Sequence, residues 1–175
     1  DLIFSALDKG KHVVTANKDL IALHGSQLIE IAQKNNRHLI FEAAVAGAIP
    51  VLRLLKDFLN VKDILGVRSI LNGTTNYILS EMENKSLSFG EALLQAQSLG
   101  FAEQDPTNDI KGIDARFKLI IITYLITGQW ITPQKISLEG IDHLERADFE
   151  YAERMGRRIK LIANLKFNNQ GIEIY

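Results

Sequence analysis

The sequence predicts an α/β fold that opens on a parallel sheet. Two observations predict it. The short, continuously apolar runs His12-Val13-Val14-Thr15-Ala16 and His38-Leu39-Ile40-Phe41-Glu42-Ala43 are separated by a segment with helical apolar spacing, as strands buried on both faces and joined by a helix require. Composition agrees: 175 residues with 46% hydrophobic and 23% charged content describe a globular chain and exclude disordered and fibrous classes. A chain of this length buries roughly two thirds of the surface its unfolded form exposes, so its core needs no disulfide or metal staple. With no cysteine in the sequence, disulfide, thiolate-nucleophile and zinc-thiolate chemistry are excluded.

Taken in order, 2–7 is an apolar helix that Gly10 stops, and the His12 run is the first strand. Asn17-Lys18-Asp19 caps the next helix, in which Leu20, Leu23, Leu28, Ile31 and Ala32 share one face until Asn35-Asn36. The His38 run is the second strand. The small-residue turn Ala46-Gly47-Ala48-Ile49-Pro50 leads into a helix over 51–59, with Pro50 near its first turn. Residues 64–71 are rich in β-branched and apolar types and read as a strand ending at the turn pair Asn72-Gly73. Thr74 or Thr75 then caps a helix to Met82, and Ser88 caps another to Leu99 that Gly100 closes. After a polar stretch over 102–108, Asp109 caps the most regular helix, with Ile110, Ile113, Phe117, Ile120, Ile121 and Tyr124 on one stripe as far as Gly128. Residues 148–157 read as a helix, and 159–167 with 172–175 as a hairpin around Asn168-Asn169-Gln170-Gly171. The first segment resembles the middle of a helix and the last a strand cut short, so both ends are expected to continue.

Twenty basic and twenty-one acidic residues, without a long block of one sign, leave no electrostatic footprint for nucleic acid or an anionic membrane. The longest apolar stretch, 119–126, falls far short of the roughly 20 residues of a bilayer span. The opening lacks the basic flank and small-residue cleavage site of a signal peptide, so a cytoplasmic location is expected. The four histidines share no ligand spacing, no serine sits in a nucleophile elbow, and no G-x-G-x-x-G cradles a pyrophosphate.

Chemistry concentrates in Glu103 to Lys118, which packs acidic and basic residues around the start of the regular helix. Helical spacing places Asp114 and Lys118 on adjacent turns at the flank of the apolar stripe, where partial burial and a nearby carboxylate act oppositely on a lysine proton. Spacing alone favours an ordinary ion pair worth about 0.3–0.5 kcal/mol. Asn17-Lys18 follows a strand directly, at the carboxyl end where open α/β sheets bind ligands, although a solvated lysine in a first helical turn is the commoner case. Glu42-Ala43-Ala44-Val45-Ala46-Gly47 sets a carboxylate beside accessible carbonyls, which suits an oxygen-coordinated cation or a plain loop. Asn72-Gly73-Thr74-Thr75-Asn76 admits a ligand at a helix N-terminus or is simply a capped turn.

Four blocks, Val13-Val14-Thr15-Ala16-Asn17-Lys18, Glu42 to Pro50, Ile70-Leu71-Asn72-Gly73-Thr74-Thr75-Asn76-Tyr77-Ile78-Leu79 and Glu103 to Lys118, resemble in order the signatures of the homoserine dehydrogenases. The resemblance implies an NAD- or NADP-dependent oxidoreductase that interconverts L-homoserine and L-aspartate 4-semialdehyde on the route to threonine, methionine and isoleucine. It implies that residues 1–41 are the tail of a Rossmann-type nucleotide-binding domain. Residues 42–175 would then belong to an α+β substrate-binding and dimerisation domain acting as a homodimer. Lys118 matches the family's acid/base lysine; Glu103 and Asp114 match its substrate-binding carboxylates, and Asp109 a nearby acidic position. Lys18 matches the lysine associated with the nicotinamide and the reacting centre, and Gly100 a position near the cofactor. Glu42, with the carbonyls of Val45, Gly47 and Ile49, matches a site for a monovalent cation, Na+ or K+; Ala48 stands where the family commonly has a second glycine. The family's glycine-rich nucleotide loop is absent from these residues, so the chain is expected to hold the substrate side and to turn over little by itself. The rival reading is a catalytically silent binding or oligomerisation module of the same fold.

Overall fold

The computed structural model describes residues 2–57, 64–168 and 171–175. Helix α1 (Leu2–Asp8) ends at Gly10, whose φ of +67° is left-handed, and leads into strand β1 (Val13–Val14). Helix α2 (Lys18–Lys34) starts at Asn17, whose side-chain oxygen accepts from the Leu20 amide at 3.0 Å, and stops at Asn35. Strand β2 (Leu39–Ile40) then pairs parallel with β1, Val13 opposite Leu39 and Val14 opposite Ile40. The expected parallel α/β opening is present, but its strands are two residues long in place of the longer apolar runs and are not buried on both faces, since alternate residues point to opposite sides and Val14 and Ile40 are exposed. The face of α2 is a correction: Ile21, Ala22, Gly25, Leu28 and Ala32 are buried and Leu23 is half exposed, because α2 is wedged between α1 and the central helix α7 described below.

A 3₁₀ turn (Glu42–Ala44) and helix α3 (Val51–Asp57) follow; the end expected for that helix at 58–59 lies outside the described residues. Strand β3 (Gly66–Ser69) is shorter than expected. Asn72-Gly73 is not a turn after it. Asn72 is the N-cap of helix α4 (Gly73–Lys85), its side-chain oxygen accepting from the Thr75 amide at 2.8 Å. Neither Thr74 nor Thr75 is the cap, and the helix runs past Met82 to a left-handed Ser86. Helix α5 (Phe89–Ser98) has the expected Ser88 cap, closed as a capping box by Glu91.

Asp109 does not cap the regular helix. It lies inside the one-turn helix α6 (Thr107–Ile110), and α7 (Ile113–Thr127) begins only after Gly112. Gly112 has a φ of +78°, and an added Cβ would meet a Leu138 methyl at 3.0 Å, so a glycine is needed there on two counts. The single apolar stripe is also corrected. Asp114, Ala115, Leu119 through Thr123 and Ile126 are all buried, since α7 runs between α2, α3 and strand β4, while Phe117 and Tyr124 are only half buried. Helix α8 spans Arg146–Arg154. Strands β4 (Ala163–Asn168) and β5 (Gly171–Ile174) form the expected hairpin and extend β3 into an antiparallel sheet, β3-β4-β5; the turn residues 169–170 lie outside the described residues.

The largest apolar cluster joins α1, α2 and α3 to α7 and β4 through Leu7, Ile21, Leu28, Leu119, Ile121 and Leu165. Another holds α4, α5 and α8 around Ile78, Leu79, Met82 and Phe149. Helix α7 is thus the spine on which the parallel opening and the later sheet both rest. Among the described residues no helix is long and apolar enough to cross a membrane.

Candidate functional site

Where β1 ends, α2 begins, and the first turn of α7 passes beneath the start of α4, a cleft of about 900 Å³ opens. Lys18, Asn72, Asp114 and Lys118 line it. Asp114 is 6% exposed and lies at the centre of the charges. One of its oxygens faces Lys18 Nζ at 3.2 Å; the other accepts from Lys118 Nζ at 2.7 Å and from the Asn72 amide at 2.9 Å. Lys118 also donates to the Leu71 carbonyl at 2.8 Å, at the exit of β3. An ammonium has three N–H donors. Two of those of Lys118 are therefore spent on the protein.

Burial opposes the charge on Asp114, but the hydrogen bonds from Lys118 and Asn72 and the two ammonium charges outweigh it and hold the carboxyl below its ordinary range. Lys18 shows the mirror case. Burial acts to release its proton, while Asp114 and Asp19 together hold the ammonium above its ordinary range.

The structure thus joins Lys18, Asp114 and Lys118, which the sequence spread over two helices. Asp109 is one side chain away: Asn72 donates to its carboxylate at 2.6 Å. Gly47 and Ile49 line another wall of the same cleft. Glu42 is half-buried behind them, one carboxylate oxygen accepting from the amides of Leu52 and Arg53 at 3.0 and 3.2 Å, and Val45 is fully buried. Ala46 and Gly47 both have left-handed φ, 58° and 54°, which curls this segment. Gly100 and Glu103 are exposed and are not among the residues lining the cleft. Their segment is tied to the start of α4 by the Thr74 hydroxyl, which donates to the Phe101 carbonyl at 2.8 Å, and to α5 by Gln97, which donates to the Glu103 carbonyl at 3.0 Å. Sequence reasoning placed Asn72 in a ligand-admitting or capped turn without joining it to Asp114, and it missed the Leu71 carbonyl as part of the site. The N-cap preference of an asparagine before Gly73-Thr74-Thr75 is a legible signal for the first; nothing local marks the second.

A smaller cavity of about 370 Å³ lies along another flank of α7 and holds none of these residues. Among the described residues no three His, Cys, Asp or Glu side chains gather as a metal site.

Residues 50–174 match the family profile described as homoserine dehydrogenase, and residues 1–42 match one described as homoserine dehydrogenase, NAD binding domain. The homoserine dehydrogenase of Neisseria gonorrhoeae is 44% identical over 99% of this chain and 40% of the relative. The solved structure of a homoserine dehydrogenase from Thiobacillus denitrificans superposes with a TM-score of 0.95 at 44% identity, again over 99% of this chain and 40% of that one. A hyperthermophilic archaeal homoserine dehydrogenase in complex with NADPH superposes with a TM-score of 0.79 at 28% identity, covering 99% of this chain and 50% of the other. The chain spans about 40% of the length of these curated relatives.

Proposed function

This chain belongs to the homoserine dehydrogenase family, and from that premise we propose that it carries the substrate side of an NAD(P)-dependent oxidoreductase interconverting L-homoserine and L-aspartate 4-semialdehyde. One observation carries the reading: a buried carboxylate, Asp114, binds two lysines in a cleft at the carboxyl end of a parallel strand. Oxidising the alcohol removes a hydride from carbon and a proton from oxygen. NAD(P), when bound, supplies the hydride acceptor, and in reverse the donor. Lys118 keeps one N–H beyond its bonds to Leu71 and Asp114, and that group is assigned to the substrate oxygen. In the reducing direction it delivers a proton as negative charge builds on that oxygen, and Lys18 adds a second positive charge nearby. Asp114 keeps both lysines in place. Glu103 and Asp114 are assigned to the ammonium and hydroxyl groups of the amino acid, with Asp109 an acidic group near them.

The residues present suit the nicotinamide end of a dinucleotide. Ala16 and Lys18 line the cleft just after β1, and the sequence has no glycine-rich loop for the pyrophosphate. Lys18 would hold that end, for NAD or NADP alike, and Gly100 is assigned to the cofactor on the family resemblance alone. The chain by itself is accordingly expected to bind either weakly and to turn over little. Glu42 and the carbonyls of Val45, Gly47 and Ile49 offer oxygen donors alone, the chemistry of a hard monovalent cation such as Na+ or K+. A homodimer working in the cytoplasm, on the route to threonine, methionine and isoleucine, completes the proposal.

The test is homoserine-dependent reduction of NAD(P)+ by a polypeptide of the relatives' full length carrying this chain, with and without Lys118→Ala. Loss of a proton-transfer residue is expected to lower the rate by about 10²–10⁴-fold. A folded Lys118→Ala protein that keeps its rate removes the assignment.

A further inference from the structure

The Asn72 side chain is 5% exposed and uses every polar valence it has. Its Nδ2 donates to Asp109 Oδ1 at 2.6 Å and to Asp114 Oδ2 at 2.9 Å; its Oδ1 accepts from the Thr75 amide at 2.8 Å and the Thr75 hydroxyl at 3.0 Å. Two tasks are combined in one residue. The oxygen end caps α4, as many polar residues can. The nitrogen end bridges two carboxylates, and to do that beside a capping oxygen takes a carboxamide, which joins two N–H donors to an acceptor. An aspartate here would set a third negative charge against Asp109 and Asp114; a serine retains a capping oxygen but has one hydrogen to give.

We propose that Asn72 is a positioning residue of this site: its carboxamide draws Asp109 and Asp114 together and turns Asp114 so that one oxygen faces each lysine. The consequence follows from how Asp114 divides its contacts. Oδ1 serves Lys18, and Oδ2 is shared by Lys118 and Asn72. Without the amide, Oδ2 has Lys118 alone to hold it, and Asp109 has no bond drawing it toward the cleft. Because Asn72 also caps α4 while Lys118 donates to the neighbouring Leu71 carbonyl, the junction of β3 and α4 is joined to α7 at two adjacent residues. The inference deepens the proposed reaction by naming what sets the geometry of its charged centre. The bridge itself stands on geometry that does not depend on that reaction.

Asn72→Ser separates the two tasks, keeping the cap and removing the bridge. Carboxyl-carbon NMR titration of this chain should then show Asp114 titrating at higher pH by about one unit, the size expected when a carboxylate loses one hydrogen bond to its charged form. The thermal midpoint should fall less than in Asn72→Ala, which loses both. An Asp114 titration unchanged in a folded Asn72→Ser chain overturns the proposal and leaves Asn72 a helix cap. Should the serine variant not fold, the unsubstituted chain decides. The two Asn72 side-chain amide protons should shift, one with the titration of Asp109 and the other with that of Asp114; protons insensitive to both carboxyls refute the bridge. L-homoserine is then titrated against the unsubstituted chain and Asn72→Ser. Weaker binding by the variant extends the role to the substrate, and equal binding refutes that extension. A failure of the unsubstituted chain to bind L-homoserine counts against the reaction while the carboxyl titration still tests the bridge.

Discussion

Asp114 is the residue whose loss should be felt most widely, because three side chains and two helices depend on its charge. Asp114→Asn preserves shape while leaving Lys18 and Lys118 without their shared counter-charge. Both lysines are partly exposed, at 32% and 19% of the side chain, so water offsets part of the penalty. A loss of about 2 kcal/mol is expected, less than for a fully buried pair. Urea unfolding at neutral pH measures it, and a midpoint within error of the unsubstituted chain would mean that solvent screens the cluster. The bond between Asp114 and Lys118 was legible because residues four apart on a helix must meet. Lys18 was legible as a lysine after a strand, but its meeting with Asp114 was not, since no local pattern relates the start of α2 to the start of α7.

Helix α2 carries a glycine in its interior, which by propensity alone disfavours the helix by about 1 kcal/mol relative to alanine. Its reason is steric. A Cβ on Gly25 would come within 2.2 Å of the Trp130 ring, and Trp130 is fixed there by donating to the Ala22 carbonyl at 2.9 Å. Gly25→Ala should therefore lower stability despite its better propensity, by about 1–2 kcal/mol net of that gain. Thermal unfolding tests it, and the companion Gly25→Ala/Trp130→Leu should recover part of the loss. A more stable Gly25→Ala chain would show that the indole moves aside freely. Caps at Asn17 and Ser88 were readable because they lie within a few residues of the amides they serve. The start of α7 was misread for the converse reason: Asp109 has the chemistry of a cap, but its carboxylate is taken up by Asn72 from another helix.

For the molecule as a whole, the charged cluster sets a pH window. Asp114 is held below its ordinary range, so it contributes stability above about pH 4 that disappears as acid titrates it through its lowered value. Lys18 is held above its ordinary range, so its contribution is complete below about pH 10 and is lost as pH rises through its raised value. Urea midpoints should form a plateau between these limits, and Asp114→Asn should flatten both shoulders, since it removes one titrating group and the partner of the other. A profile for Asp114→Asn parallel to that of the unsubstituted chain would separate the cluster from the pH dependence. The positions of most helices, the caps at Asn17 and Ser88, the parallel opening and the four motif blocks are local properties, determined by residues within a turn or two of each other, and the sequence alone was enough for them; the caps of α4 and α7 and the buried faces of α2 and α7 were not among them. The union of Lys18 with Asp114, the Asn72 bridge to Asp109 and the seat of Trp130 on Gly25 were decided only by tertiary structure. Each depends on the path of α7 between α2, α3 and β4, and the spacing of apolar residues along a chain does not show what a buried face meets.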